Sequence, residues 1–322
     1  MVGFGIWVHH EGLSFHEIRR VVLAAERLGF DSVWIFDHFC SFDDKTMIKT
    51  PLLECWSILS ALASITKKIR LGTFVLGNSY RYPSLLAKMA ASLDNISGGR
   101  VEFGIGAGYS KPEYIAYGIP FPRFSIRIEQ LKEALQIIKM MWTEDEPSFN
   151  GKYYTIKKAI MFPKPLQKPY PPIMIGGHGK GVLKVTAEFA DKCDIGYWET
   201  TEGFQRKLNI LNEYCEQIGR NPNMITKCWH TQIVIAEEAK DVKDKMLKIK
   251  GSHRNTTIRR MPVEEYKSRC VVGTPEECAK RIEQYMNVGA SYFILHFPDM
   301  LKIKPLEVFA KRVMPIIKNS ES

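Results

Sequence analysis

No stretch of this 322-residue chain approaches the roughly 18 consecutive apolar residues of a membrane-spanning helix. The N-terminus, Met1-Val2-Gly3-Phe4-Gly5-Ile6-Trp7-Val8, has neither a basic leading segment nor a small-residue cleavage site. Neither a membrane span nor a secretion signal is expected, and the chain reads as cytoplasmic. There is no C-x-x-C pair, and the seven cysteines (Cys40, Cys55, Cys193, Cys215, Cys228, Cys270 and Cys278) are odd in number and scattered. That pattern argues against a disulfide framework and against a zinc site, so no metal is expected and the thiols read as reduced and mostly buried. A Rossmann fingerprint is missing too. Gly104-x-Gly106-x-Gly108 lacks the third glycine at the required spacing, lies mid-chain, and has no acidic residue ending a next strand about 20 residues on.

What is present is a chain that can bury one large core, with 45% hydrophobic residues and a net charge of +10. The charge makes anionic partners worth considering. Lysines and arginines are mixed with acids along the whole chain, and most read as solvated helix faces. The densest group is Lys243, Lys245, Lys248, Lys250, Arg254, Arg259, Arg260, Lys267 and Arg269. No motif or aromatic interleaving accompanies it, so neither nucleic acid nor membrane is an expected partner. A small molecule carrying phosphate or carboxylate suits the charge better.

Short β-rich runs alternate with amphipathic helical segments. Strands are expected at Phe4 to Val8, Ser32 to Phe36, Arg70 to Val75, Arg100 to Phe103, Ile173 to Ile175, Asp194 to Tyr197, Lys227 to Ile235 and Tyr292 to His296. Between them lie helices at His16 to Leu28 (stopped by Gly29), Pro51 to Ile65, Ser84 to Ile96, Ile126 to Trp142, about Gly181 to Ala190, and Phe204 to Ile218. Further helical segments run to Tyr285, and a last helix spans Pro305 to Ile317. The helix at 84–96 is expected to turn Leu85, Leu86, Met89, Leu93 and Ile96 inward. Phe149 to Thr155, turning at Asn150-Gly151, reads as a small hairpin. Eight strands separated by helices predict an α/β fold, a (β/α)8 TIM barrel over 1–322, with insertions near 143–172 and 245–272.

A barrel of this kind carries its site at the C-terminal ends of the strands. Those ends hold His9 and His10; Asp37 and His38; Thr73, Phe74 and Val75; Gly106, Ala107, Gly108 and Tyr109; Gly176 and Gly177; Trp198 and Glu199; His230 or Gln232; and His296. The glycines at 104, 106 and 108 let backbone approach a flat ligand, or else form a loose strand-to-loop turn. Ile175-Gly176-Gly177-His178-Gly179 opens a helix with free N–H groups suited to an anion; His178 either donates to that anion or faces solvent. His38, after an acid at a strand end, is placed for proton transfer, because imidazole titrates nearest neutral pH. The alternative is a structural histidine bonded within its loop. Glu113 and the remaining rim histidines are weaker candidates.

Several blocks together resemble the bacterial luciferase-like superfamily, within it the branch of probable coenzyme F420-dependent oxidoreductases. They are Phe30-Asp31-Ser32-Val33-Trp34-Ile35-Phe36-Asp37-His38-Phe39, Arg70-Leu71-Gly72-Thr73, Tyr80-Arg81-Tyr82-Pro83, Ser97-Gly98-Gly99-Arg100, the Gly104 to Pro122 block, and Pro171-Pro172-Ile173-Met174-Ile175-Gly176-Gly177. The resemblance implies a luciferase-like TIM barrel that binds a flavin or 5-deazaflavin across its rim. It also implies a non-proline cis peptide at Phe74-Val75 behind the ring and cofactor contacts from Asp37, His38, Thr73, Phe74, Val75, Gly106, Ala107 and Gly108. The cofactor phosphate then falls on Gly176, Gly177, His178 and Gly179, with His38 as the catalytic group. The implied activity is hydride transfer between F420 and a small, possibly anionic substrate in a homodimeric enzyme. An FMN-dependent luciferase-like monooxygenase and a non-catalytic flavin-binding protein are the alternatives. Phe42 and Tyr109 stand where a sugar-phosphate dehydrogenase of the family has a tryptophan and an acidic proton donor, and these departures argue against carrying over its substrate and acid role.

Overall fold

The N-terminal βα unit shows how local sequence sets the architecture. The strand β1 (Gly3–Trp7) buries Phe4 and Ile6, and Ser14 and Glu17 then close a capping box at the start of helix α1 (Phe15–Leu28). The structure, a computed structural model, describes residues 2–44, 46–196 and 198–320. The pattern repeats through β2 (Ser32–Ile35), α2 (Cys55–Ile65), β3 (Arg70–Thr73), α3 (Pro83–Ser97) and β4 (Val101–Gly106). Beyond the short α4 (Lys111–Ala116) and the long α5 (Phe124–Thr143) come β5 (Ile173–Gly176), α6 (Lys180–Phe189), β6 (Lys192–Asp194), α7 (Thr201–Gln217) and β7 (Thr226–Ile235). After α8 (Ala239–Gly251), α9 (Thr256–Arg260), α10 (Val263–Arg269) and α11 (Pro275–Asn287), β8 (Tyr292–His296) precedes helical turns over 304–319.

All eight strands pair in parallel in sequence order, and β8 pairs with β1, so the sheet closes into the expected (β/α)8 barrel. Trp34, Met174, Cys228, Tyr292 and Ile294 plug the barrel interior, and the larger apolar core lies between strands and helices. No helix among the described residues is long and apolar enough to cross a membrane.

The ladder between β3 and β4 is interrupted. Leu71 and Gly72 pair with Val101 and Glu102, and pairing resumes only at Leu76 and Gly77 opposite Ile105 and Gly106. The intervening bulge contains the Phe74-Val75 cis peptide that the resemblance implies. Thr73 repairs the gap: its hydroxyl lies 2.8 Å from both the Gly104 N–H nitrogen and the Gly104 carbonyl oxygen.

Some expectations shift. The sixth strand covers Lys192–Asp194, two residues before the expected Asp194 to Tyr197, and Tyr197 lies outside the described residues. On α3 the buried face is built from Leu86, Ala87, Ala90, Ala91 and Leu93, while Leu85 and Ile96 point outward at 55% and 58% exposure. Small residues there let α3 pack closely, and counting only large side chains as core rotates the helix wrongly. The hairpin at Phe149–Asn150 and Thr155–Ile156 is present as expected.

Two excursions stand at the barrel mouth, the second overlapping the insertion expected near 245–272. A hairpin, Ser41–Asp43 with Thr46–Ile48, follows β2, and α8 to α10 form a helical flap after β7. Both Asp44 carboxylate oxygens accept from Thr256 at the start of α9, one from its N–H at 2.6 Å and the other from its hydroxyl.

Candidate active site

A cavity of about 820 Å³ opens at the C-terminal ends of the strands, large enough for a flavin-sized ring system with a substrate beside it. Its walls include Trp7, Phe36, Phe42, Phe74, Val75, Leu76, Phe124 and Val182, with bare backbone at Gly106, Gly108, Gly176, Gly177 and Gly179. Val75 projects between two of these glycines. A Cβ on Gly176 would stand 3.0 Å from both Val75 methyls, and one on Gly106 would stand 3.1 Å from Cγ2 of Val75. The absence of side chains there leaves a smooth floor. Beside it α6 begins at Lys180, and its N-cap Gly179 supplies no side-chain cap, so the first-turn N–H groups are left for an anion. His178 also lines this corner, and burial followed by the nearby Lys207 lowers its pKa, making it a neutral donor at pH 7. A flat ring carrying a phosphate fits the residues present.

His38 is held from both sides. Its Nδ1 is 2.8 Å from Glu113 Oε2 and its Nε2 is 2.8 Å from the Tyr109 hydroxyl. Because the Glu113 carboxylate only accepts, Nδ1 carries the hydrogen, and Nε2 accepts from Tyr109. Glu113 is fully buried on α4 and also accepts from the Phe39 N–H at 2.6 Å, the Cys40 N–H at 3.3 Å and the Tyr80 hydroxyl. Burial alone would raise its pKa, but these donors, His38 foremost, bring it below the ordinary value. Glu113 therefore orients the imidazole and fixes its tautomer, a role that its sequence position alone did not convey.

Asp37 lines the same cavity, yet its carboxylate is engaged: Arg81 bonds both oxygens at 2.8 and 2.9 Å, and the Gly77 N–H donates at 3.2 Å. Arg81 also reaches Glu54 at 2.7 Å. Asp37 thus fastens the segment after the cis peptide to β2. Burial, outweighing Arg81, raises its carboxyl to about 6 from the ordinary 3.8. The folded protein then holds this proton where the unfolded chain has lost it, so the stability contributed by this group falls as pH rises from about 4 to about 6, by up to about 1.4 kcal/mol per pH unit. Urea unfolding of wild type and Asp37→Asn should show the wild type losing ground to the variant between about pH 4.5 and about pH 6.5. A gap that moves the other way would exclude the assignment.

Other rim residues divide. Thr73 is 1% exposed and spends its hydroxyl on the β3–β4 gap, so it does not face the cavity as the resemblance implied. His10 is a core residue, its Nε2 3.0 Å from the Leu53 carbonyl and its ring stacked on Phe36. His9 lines the cavity, tilted against His296 with ring centroids 4.1 Å apart. His230 also lines it, with Nδ1 2.6 Å from Asp194 Oδ1. Gln232 accepts from Tyr266, away from the cavity. Trp198 packs against His253 and Tyr266, supporting the flap, and Glu199 pairs with Lys207. Asp194 and Phe124 are cavity residues that strand and helix periodicity alone could not single out.

A (β/α)8 barrel with an open anion cradle, a glycine floor and a His–Glu pair at its strand ends defines a class of flavin- or deazaflavin-binding enzyme scaffold. The chain belongs to the family described as luciferase-like monooxygenase, whose model matches residues 1–292. It is 27% identical to an F420-dependent glucose-6-phosphate dehydrogenase from Microbacterium testaceum, over 98% of this chain and 97% of that one. Among solved structures, an F420-dependent secondary alcohol dehydrogenase in complex with an F420-acetone adduct superimposes with a TM-score of 0.83 at 20% identity, covering 98% of this chain and 99% of that one. The F420-dependent tetrahydromethanopterin reductase from Methanopyrus kandleri does so with the same score of 0.83 at 22% identity, over 98% and 99%.

Proposed function

We propose that this protein is a coenzyme F420-dependent oxidoreductase that transfers hydride between the cofactor and a small organic substrate. The observation that carries the reading is the conjunction, in one cavity, of the glycine floor around Val75, the uncapped start of α6 and the His38–Glu113 pair. It is supported by similar proteins named as F420-dependent glucose-6-phosphate dehydrogenases. When bound, a deazaflavin supplies a carbon centre that gives or takes hydride in a two-electron step.

The chain's own residues do the rest. Phe74, Val75, Gly106, Ala107 and Gly108 would face the ring, and Gly176, His178 and Gly179 with the α6 N–H groups would hold the phosphate, while Gly177, whose N–H donates to the Asp194 carbonyl at 3.0 Å, would shape the turn. Asp37 keeps the cis-peptide segment in place through Arg81 and Gly77. His38 takes or gives a proton at Nε2, with Glu113 fixing its tautomer. We further take the enzyme to be a homodimer, as the resemblance implies, and cytoplasmic, as the sequence leads one to expect.

FMN, which would bring oxygen chemistry, is the second reading, favoured by the family's own description. Fluorescence titration of the apoprotein with oxidised F420 and with FMN separates the two. Micromolar or tighter binding of F420 with little for FMN is expected, and preference for FMN would overturn the reading. Gly176→Asp places a carboxylate against the cradle and crowds Val75, so it should weaken F420 binding by on the order of 100-fold. Unchanged affinity would remove the phosphate from this corner.

A further inference from the structure

The cavity walls carry no cation of their own. Among the described residues lining it, none is Lys or Arg; the acids and imidazoles are Glu11, Asp37, Asp194, His9, His38, His178 and His230, joined by the phenols of Tyr80 and Tyr109. Each carboxylate already has a partner: Arg254 at 3.1 Å from Glu11, Arg81 on Asp37, and His230 at 2.6 Å from Asp194. Several cations around the cavity are occupied as well, and Arg127 donates to the Gly108 carbonyl with its guanidinium over the Phe121 ring. Arg254 and Arg81 are in those pairs, Lys207 binds Glu199, and Arg269 binds Glu265 at 3.0 Å and the Trp198 carbonyl at 2.6 Å. Two of the wall histidines, His9 and His178, have lowered pKa values with burial as the leading cause, so neither substitutes for a cation at neutral pH.

A phosphate ester or other dianion brought into such a space would lose its hydration without gaining a charge-assisted partner, which is among the costliest forms of burial. On the F420 reading, the open cradle at the start of α6 would be taken by the cofactor's own phosphate. What the walls offer instead is apolar and aromatic area, from Trp7, Phe36, Phe42 and Phe74, with His38 as a polar contact at a reacting oxygen.

We propose that the substrate is an uncharged alcohol or carbonyl compound with an apolar body, and not a phosphorylated or carboxylated one. The inference rests on the F420 reading for the reaction but on the walls for the substrate. In the oxidising direction the carbinol C–H bond breaks and its hydride passes to the oxidised deazaflavin. The O–H proton goes to His38, and the carbon–oxygen double bond forms. Reduction of the carbonyl reverses each transfer. The overall basic charge of the chain, which by itself suggests an acidic ligand, resides on outer faces and in the flap's internal pairs.

The test is calorimetric titration of the protein, both F420-loaded and cofactor-free, with straight-chain 2-ketones of increasing length and with glucose 6-phosphate. Oxidation of reduced F420 by the same ketones is followed in parallel. Affinity should rise about fourfold per added methylene until the cavity is filled, which is the burial of one CH2. Added salt should leave it unmoved, and glucose 6-phosphate should not bind. Salt-sensitive binding of glucose 6-phosphate tighter than any ketone, or a ketone series flat in length, overturns the proposal. Length-dependent ketone binding by a protein that binds no F420 would sink the cofactor assignment while upholding the substrate class.

Discussion

Gly104→Ala is expected to destabilise the barrel by about 3–5 kcal/mol, a large part of the 5–15 kcal/mol that holds an ordinary domain folded. A methyl group on this residue would overlap the carbonyl oxygen of Thr73 and stand 3.1 Å from Met174 Cε. The oxygen belongs to backbone pinned on both sides of a bulge, and the Thr73 hydroxyl already bonds Gly104 at 2.8 Å, so there is no flexible neighbour to yield. Gly251→Ala is the matched control. It ends a helix, nothing stands within 4 Å of the added methyl, and its midpoint should stay within about 0.5 kcal/mol of wild type. Urea midpoints for the three proteins decide the matter, and a Gly104→Ala protein as stable as the control would show that the bulge relaxes freely.

Glu113→Gln should cost hydride transfer about 10²- to 10⁴-fold, the range expected when proton transfer is disabled. The carboxylate receives donors from His38, Phe39, Cys40 and Tyr80, and an amide of the same shape must turn either its NH2 or a single oxygen toward them. Two donors are left facing a donor whichever way the amide lies, either the Phe39 and Cys40 N–H groups or the Tyr80 hydroxyl and His38, whose Nδ1–H tautomer then loses its anchor. Single-turnover oxidation of reduced F420 reads the chemical step, and equilibrium binding of F420 serves as the companion measurement. We expect the rate to collapse with the binding constant changed less than about tenfold. Equal losses in both would assign Glu113 to cofactor binding and not to the proton path.

Much of the barrel was legible because its strands are buried on both faces and read as short apolar runs, as Phe4, Ile6, Val33, Ile35, Ile173 and Ile175 do. The sixth strand was displaced by two residues because Lys192 and Asp194, polar in sequence, are strand residues here, and Asp194 looks into the cavity. Thr73 was misread for a related reason: a bulge suspends alternation, and only the coordinates show which way its hydroxyl turns. Of the site, the glycine floor and His38 were visible as residue types that need a reason to be where they are. Glu113 was undervalued because it lies 75 residues from His38, on a short helix that no periodicity announced, and its importance comes from four donors converging on it. The Asp37–Arg81 pair was hidden in the same way, spanning 44 residues.

The clasp between Asp44 and Thr256 joins segments 212 residues apart, one on the hairpin that carries Phe42 and the other on the flap whose Arg254 reaches Glu11 of the cavity wall. While the clasp holds, hairpin and flap are tied to one another, and a wide molecule leaving between them would have to part them. Turnover of a bulky product would then be timed by an exposed carboxylate letting go, well away from the chemistry, and the enzyme's speed and the enzyme's reaction would answer to different residues.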